Sequence, residues 1–167
     1  MFYLLAVLLT AGVVILIDML SKAFTDGVFV SVIPGVAGIF SAHNTGAGWS
    51  VLAGAMWLFI PLAIVFSIGI IVFELFFNNK LKNSVYWLSL GFLLGGILGN
   101  CIDRIAFGHV RDFIHLEFMN FPIFNVADIA LTVGCILLAI YVIFLYEPKK
   151  KKLGEEKQFV KPKWKFK

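Results

Sequence analysis

The chain has 167 residues, of which 60% are hydrophobic and only 14% charged, and its mean hydropathy is +0.95. A soluble domain carries roughly 45–50% apolar and about 25% charged residues, so this excess of apolar surface calls for lipid as solvent. The net charge of +4 does not point to nucleic acid. Nine of the fourteen basic residues lie between positions 149 and 167, behind the last apolar run, where a basic tail is typical of a cytoplasmic membrane-surface segment.

Four apolar stretches approach the ~20 residues a helix needs to cross the hydrocarbon core: residues 2–20, 51–77, 85–105 and 126–146. The first lacks a basic leader and a small-residue cleavage site before Asp18, so it is read as a retained anchor and not a signal peptide. Residues 23–50 follow, alternating apolar and small side chains around 28–32 and 35–40, a pattern that predicts a β-hairpin. The loop at 78–83 holds Lys80 and Lys82. With the lysine-rich tail it marks the cytoplasmic side, so that both termini are inside and loops 23–50 and 106–125 outside. The second outer loop contains Phe113, Ile114, Leu116, Phe118, Met119 and Phe121, which predicts an interfacial helix lying along the bilayer. The expected architecture is an all-α membrane protein with four transmembrane helices, a small extracytoplasmic β subdomain and one interfacial helix. A four-helix body spans 1–148 and a basic tail spans 149–167. Cys101 and Cys135 show no metal or redox spacing and read as small buried residues.

Charged groups inside spans are costly and mark function or pairing. Under the four-span topology Asp18, Lys22, Asn44, Asn100, Asp103, Arg104, Asp112, Asn125 and Asp128 all gather near the outer interface. Asp18 and Lys22 are four apart and share a helix face; Asn100, Asp103 and Arg104 stand at i, i+3 and i+4; Asn125 and Asp128 are three apart. Each has a bland explanation. Asp18–Lys22 and Asp103–Arg104 read as ion pairs or caps, and Asp128 as an anion at a helix N-terminus. Convergence from every span is harder to attribute to packing. The glycines at 91, 95 and 99, with Gly96 beside them, form a stripe for close helix contact. Glu74 lies far from the cluster, where it snorkels or pairs with a loop lysine. His43, His109 and His115 lack metal-ligand spacing, and neither a cofactor nor a metal is expected.

Two close carboxylates share a proton, so that the charged member draws a proton from water while the neutral one polarises a peptide carbonyl. By position Asp112, in the loop, and Asp128, at the helix mouth, suit this chemistry best, with Asp103 and Asp18 as competitors. A transporter would place its polar site near midplane on broken helices, and a structural subunit would use the same groups only to pair helices.

Four blocks of sequence resemble bacterial lipoprotein signal peptidase, the signal peptidase II family, over nearly the whole chain to about Tyr146. They are Asp18-x-x-x-Lys22; N-T-G-A-G-W-S at 44–50; G-G-I-L-G-N-C-I-D-R at 95–104 followed by V-R-D-F-I at 110–114; and F-P-I-F-N-V-A-D at 121–128. The resemblance implies that Asp112 and Asp128 form a catalytic dyad. It implies that Asn44, Gly46, Asn100, Arg104 and Asn125 shape the site or hold the substrate backbone, and that Asp18 and Lys22 support it. The implied substrate is a prolipoprotein with a diacylglyceryl cysteine, cut just before that cysteine in the bacterial inner membrane, with its lipid chains between helices; separately, a monomer is expected. Gly48, Trp49, Met19 and Arg111 depart from the family's usual residues.

Overall fold

The structure, a computed structural model, describes residues 2–46, 52, 54–76 and 83–146. The loop with Lys80 and Lys82, the basic tail, and the departures at Gly48 and Trp49 lie outside the described residues. Four helices long and apolar enough to cross a membrane are present: α1 (Phe2–Thr25), α2 (Met56–Phe76), α3 (Ser84–Phe107) and α4 (Val126–Ile140), the last continued by a π-helical turn at Tyr141–Leu145. Three strands, β1 (Phe29–Ile33), β2 (Ala37–Asn44) and β3 (Val110–Leu116), form an antiparallel sheet in the order β1-β2-β3. The chain is thus a four-helix multi-pass membrane protein with a small sheet.

Helix α3 is the central post, packed by α1 and α4, with α2 the least buried of the four. Its small residues are the reason. A methyl group at Gly91 would stand 2.5 Å from Thr10 Cβ, one at Gly95 would stand 2.6 Å from Val14 Cβ, and one at Gly99 would stand 2.8 Å from Asp18 Oδ2. Gly96 faces the other way, and a methyl there would meet the Ala127 carbonyl of α4 at 2.6 Å. In lipid no hydrophobic drive pulls helices together, so backbone approach of this kind supplies the packing. Outward faces remain apolar, with Leu9, Val65, Phe66 and Ile143 exposed.

Helix ends follow local chemistry. Asn83 caps α3 through its side-chain oxygen, which accepts from Val85 N–H. Gly108 ends the helix in the left-handed region at φ 76°, a conformation open to glycine at little cost, and turns the chain directly into β3. α1 runs five residues beyond its apolar stretch because Asp18 and Lys22 are buried in the bundle and do not sit at its edge.

The expected hairpin is present, but the interfacial helix expected within 106–125 is not. That segment is strand β3 followed by turns at 117–120. Its apolar residues had suggested a helix laid on lipid. Instead one edge of β3 pairs with β2, and Ile114 bridges to Phe124 on the other. With partners on both edges the strand satisfies its backbone groups and buries Val110 and Phe113. The sheet therefore joins the segment after α1 to the segment after α3 and caps the end where α1 and α3 finish and α2 and α4 begin. One smaller expectation also changes: Cys101 is buried, but Cys135 faces outward. Glu74 is buried and interacts with Tyr86 of α3, and its expected pairing with a loop lysine lies outside the described residues.

Candidate active site

In a strand, alternate side chains share a face. Ala42 pairs with Asp112 and Asn44 with Val110, so Asn44 and Asp112 project on the same side of the sheet, toward the bundle end. Asn44 Nδ2 donates to Asp112 Oδ2 at 3.0 Å. On the facing element, α4 opens with a capping box. The Asn125 side chain accepts from Asp128 N–H at 3.0 Å, and Asp128 Oδ2 accepts from Asn125 N–H at 3.1 Å. This reciprocal cap fixes the Asp128 carboxylate at the helix mouth, where the dipole favours an anion.

Asn125 also joins the two aspartates. Its Nδ2 donates to Asp112 Oδ1 at 2.6 Å and to Asn100 Oδ1 at 3.1 Å. Asn100 Nδ2 in turn donates to Asp128 Oδ1 at 2.8 Å. All four oxygens of Asp112 and Asp128 thus accept amide hydrogens. Asp112 is buried and Asp128 half-buried. Burial, and then the nearby Asp128 charge, push the Asp112 carboxyl up to about 6 from its ordinary 3.8, against the lowering effect of the two asparagine hydrogen bonds.

Beneath these residues lies Lys22, with no exposed surface. Its ammonium meets Asp18 Oδ2 at 2.7 Å, Asn100 Oδ1 at 3.1 Å and Asp103 Oδ2 at 3.3 Å. Three donors meet three acceptors. Asn100 Oδ1 therefore receives Lys22 and Asn125, which turns its Nδ2 toward Asp128. Asp18 Oδ1 accepts from Ala127 N–H at 2.8 Å and ties α1 to the first turn of α4. Arg104 donates through Nη2 to the Gly46 carbonyl at 2.9 Å, and its guanidinium lies 4.9 Å from the Phe59 ring centre of α2. Its Nε is buried with no hydrogen-bond partner among the described residues.

The residues singled out by position, namely Asp18, Lys22, Asn44, Asn100, Asp103, Arg104, Asp112, Asn125 and Asp128, together with Gly46, which only the resemblance implied, belong to this one network. Asn44, Gly46, Asn100, Arg104, Asp112 and Asp128 also line a cavity of about 580 Å³. Asp18, Lys22 and Asn125 lie behind its wall. The remaining lining is apolar: Val110, Leu116, residues 121–124, and Ile129, Leu131 and Val133 beside Thr132.

The pairing expected of Asp103 with Arg104 is not found. Adjacent helical positions point about 100° apart, and Asp103 binds Lys22 and Arg111 while Arg104 faces the cavity. Arg111 and the apolar wall at 121–124 were not anticipated as parts of the site. The Arg111 departure was the available signal for the first; the second depends on the bridge from Phe124 to Ile114. His43 stacks on His109 at 4.0 Å between ring centres and meets Asp26 at 3.3 Å, outside the cavity. Among the described residues no group of three or more metal-ligating side chains suits a metal ion.

Two carboxylates that share one hydrogen-bond network and line one cavity at the end of four apolar helices suit a membrane-embedded hydrolase of the aspartic type. The family profile of signal peptidase (SPase) II matches residues 10–144. Lipoprotein signal peptidase of Lactobacillus johnsonii is 41% identical over 145 residues, covering 84% of this chain and 93% of that protein. Its counterpart in Anoxybacillus flavithermus is 42% identical over 142 residues, covering 80% and 82%. A bacterial membrane enzyme solved by the in meso method at 2.3 Å resolution superposes with a TM-score of 0.77 at 34% identity, covering 89% of this chain and 94% of that one. The chain belongs to the signal peptidase II family.

Proposed function

We propose that this protein removes the signal peptide from diacylglyceryl-modified prolipoproteins, cutting just before the lipidated cysteine, with Asp112 and Asp128 as the catalytic pair. The observation that carries the reading is that Asn125 bonds both carboxylates while both line one cavity. The relatives named above support the substrate class.

In this mechanism the pair enters with one proton, held on the buried Asp112 side, and no covalent intermediate forms. A water oxygen adds to the scissile carbonyl carbon and gives a proton to the charged carboxylate, while the carboxylic acid protonates the carbonyl oxygen. The resulting gem-diol then loses its C–N bond. The leaving amine takes a proton from the pair, one hydroxyl proton returns to it, and the shared proton is restored. The Arg104 guanidinium, which lines the cavity, offers a donor to a substrate carbonyl, and Asn44 and Gly46 border the same space. The apolar wall suits acyl chains, so that lipid lies along α4 and the extended segment 121–124 while the peptide reaches the polar end.

The reading extends to topology. Lys80, Lys82 and the lysine-rich tail favour a cytoplasmic location for both termini, with the cavity near the outer face of the bacterial cytoplasmic membrane. Residues 1–148 form the peptidase body, 149–167 a separate basic tail, and the working unit is a monomer. A gel-shift assay with purified protein and a lipidated or non-lipidated precursor tests the function. Only the lipidated precursor should be shortened, and Asp112→Asn or Asp128→Asn should abolish cleavage while the protein still inserts. Turnover retained in both variants would overturn the assignment.

A further inference from the structure

Resting on the reading of Asp112 and Asp128 as the catalytic pair, we propose that Arg111 is a positioning residue for that pair: by holding both oxygens of Asp103 it leaves the Lys22 ammonium committed to Asn100, and so keeps the Asn100 amide on Asp128.

Arg111 and Asp112 are neighbours on β3 and project to opposite faces of the sheet. Asp112 enters the cavity, whereas Arg111 reaches back to α3. Its backbone N–H donates to Asp103 Oδ2 at 2.9 Å, its Nη2 to Oδ1 at 2.7 Å, and its Nε to Oδ2 at 3.4 Å. The guanidinium lies 4.2 Å from the Phe107 ring centre, a stacked and forked geometry that lysine cannot copy. Asp103 itself has no exposed surface.

The consequence runs through Lys22. Its contact with Asp103, at 3.3 Å, is the longest of its three, as expected when the carboxylate is already engaged by a second cation. Without Arg111, Asp103 Oδ1 loses a charged donor and the carboxylate keeps Lys22 as its sole buried cation. The ammonium is then drawn toward Asp103 and away from Asn100, whose amide is free to turn from Asp128.

Charge leads to the same place. Asp18 and Asp103 carry two negative charges; Lys22 and Arg111 carry two positive ones. Removing Arg111 leaves one uncompensated negative charge beside the pair, which then holds its shared proton to higher pH. The other charged or titratable groups near the guanidinium are Asp26, in the turn after α1, His43, opposite Arg111 on β2, and His109, which stacks on His43 and packs against the same Phe107 ring. Arg104 lies beside the aspartates, on the cavity side. None of them binds Asp103 among the bonds described.

The test measures kcat, KM and the pH profile of the full-length enzyme on a diacylglyceryl-cysteine precursor peptide. Four proteins are compared: wild type, Arg111→Leu, Arg111→Lys, and Arg111→Leu combined with Asp103→Asn. Arg111→Leu should lower kcat roughly tenfold with KM changed less than about twofold. It should also move the descending alkaline limb up by about half a pH unit. Arg111→Lys should fall between. The double variant, which removes the unbalanced charge, should recover much of kcat and return the limb toward wild type. A limb that stays put, with a double variant no better than the single one, would reduce Arg111 to a strand clamp and overturn the proposal. If Arg111→Leu does not fold, the lysine and double variants carry the same comparison. Turnover surviving in both Asp112→Asn and Asp128→Asn would instead remove the underlying catalytic reading.

Discussion

Asn125 donates to Asp112 across 2.6 Å from the same side chain whose oxygen caps the first turn of α4. One residue therefore starts a helix and aligns a carboxylate on a different element. The two roles are separable by substitution. Asn125→Ser keeps a side-chain oxygen for the cap, so the helix start should survive and unfolding stability should fall by only about 1–3 kcal/mol, from the two lost amide bonds. It lacks the amide hydrogens, so kcat should fall at least about tenfold. A calorimetric scan with a cleavage assay checks both, and equal activity would deny Asn125 its aligning role.

The raised Asp112 carboxyl predicts a pH-dependent stability. Its folded-state value, about 6, lies above the ordinary 3.8, so the folded state binds the proton more tightly. Stability from this group is fully present below the ordinary value and is lost as pH rises toward and past about 6, by about 3 kcal/mol in total. Asp112→Asn has no charge to bury. Relative to that variant, wild type should lose stability between pH 4 and pH 7. Denaturation in detergent at a series of pH values checks this, and parallel curves would contradict it.

Under the proposed mechanism the same group sets the alkaline side of the pH profile. If the pair works with one proton, kcat/KM should decline as pH climbs above about 6, where Asp112 surrenders it. Rates at saturating and limiting precursor across that range will show the limb, and a rate that rises steadily through it would argue against a shared proton.

Lys22 is fully buried between Asp18 and Asp103. Lys22→Met leaves two carboxylates short of a cation and should cost about 3–5 kcal/mol. Adding Asp18→Asn removes one stranded charge and should recover part of that loss. Thermal unfolding of the single and double variants measures the coupling; additive losses would mean that the three groups are independent.

The glycine stripe makes a further prediction. A methyl at Gly95 would meet Val14 Cβ at 2.6 Å and the Ala11 carbonyl at 3.0 Å, whereas one at Gly12 meets nothing within 4 Å. Gly95→Ala should destabilise the bundle by about 1–3 kcal/mol, and Gly12→Ala should be nearly neutral. Similar unfolding temperatures for the two variants would show that α1 and α3 are not packed as described.

Much of the site was legible before any coordinates. The helices had to be apolar outside, so each rare polar residue in them stood out, and alternation of direction placed those residues at one end. That reasoning located Asp18, Lys22, Asn100 and Asp128 without knowledge of a single contact. It failed at residues 106–125, where an apolar run was read as a helix on lipid although Phe113 and Val110 are buried in a strand. Composition reports that a segment needs cover, not whether lipid or protein supplies it. The choice was made by a β2 edge more than sixty residues away, and local sequence does not record that partner.

The partnership of Asp103 shows the same boundary. Neighbouring Asp103 and Arg104 suggested a pair, yet helix geometry sends one to Lys22 and Arg111 and the other to the cavity. The sequence by itself determined a four-span membrane chain, the helix end at which its polar groups gather and the short list from which the two proposed aspartates come, because the cost of burying charge in lipid is written residue by residue. Which amide turns toward which carboxylate, and what wall the cavity has, was decided only when strand and helix ends met, because hydrogen bonds depend on distance and angle between residues the chain keeps far apart.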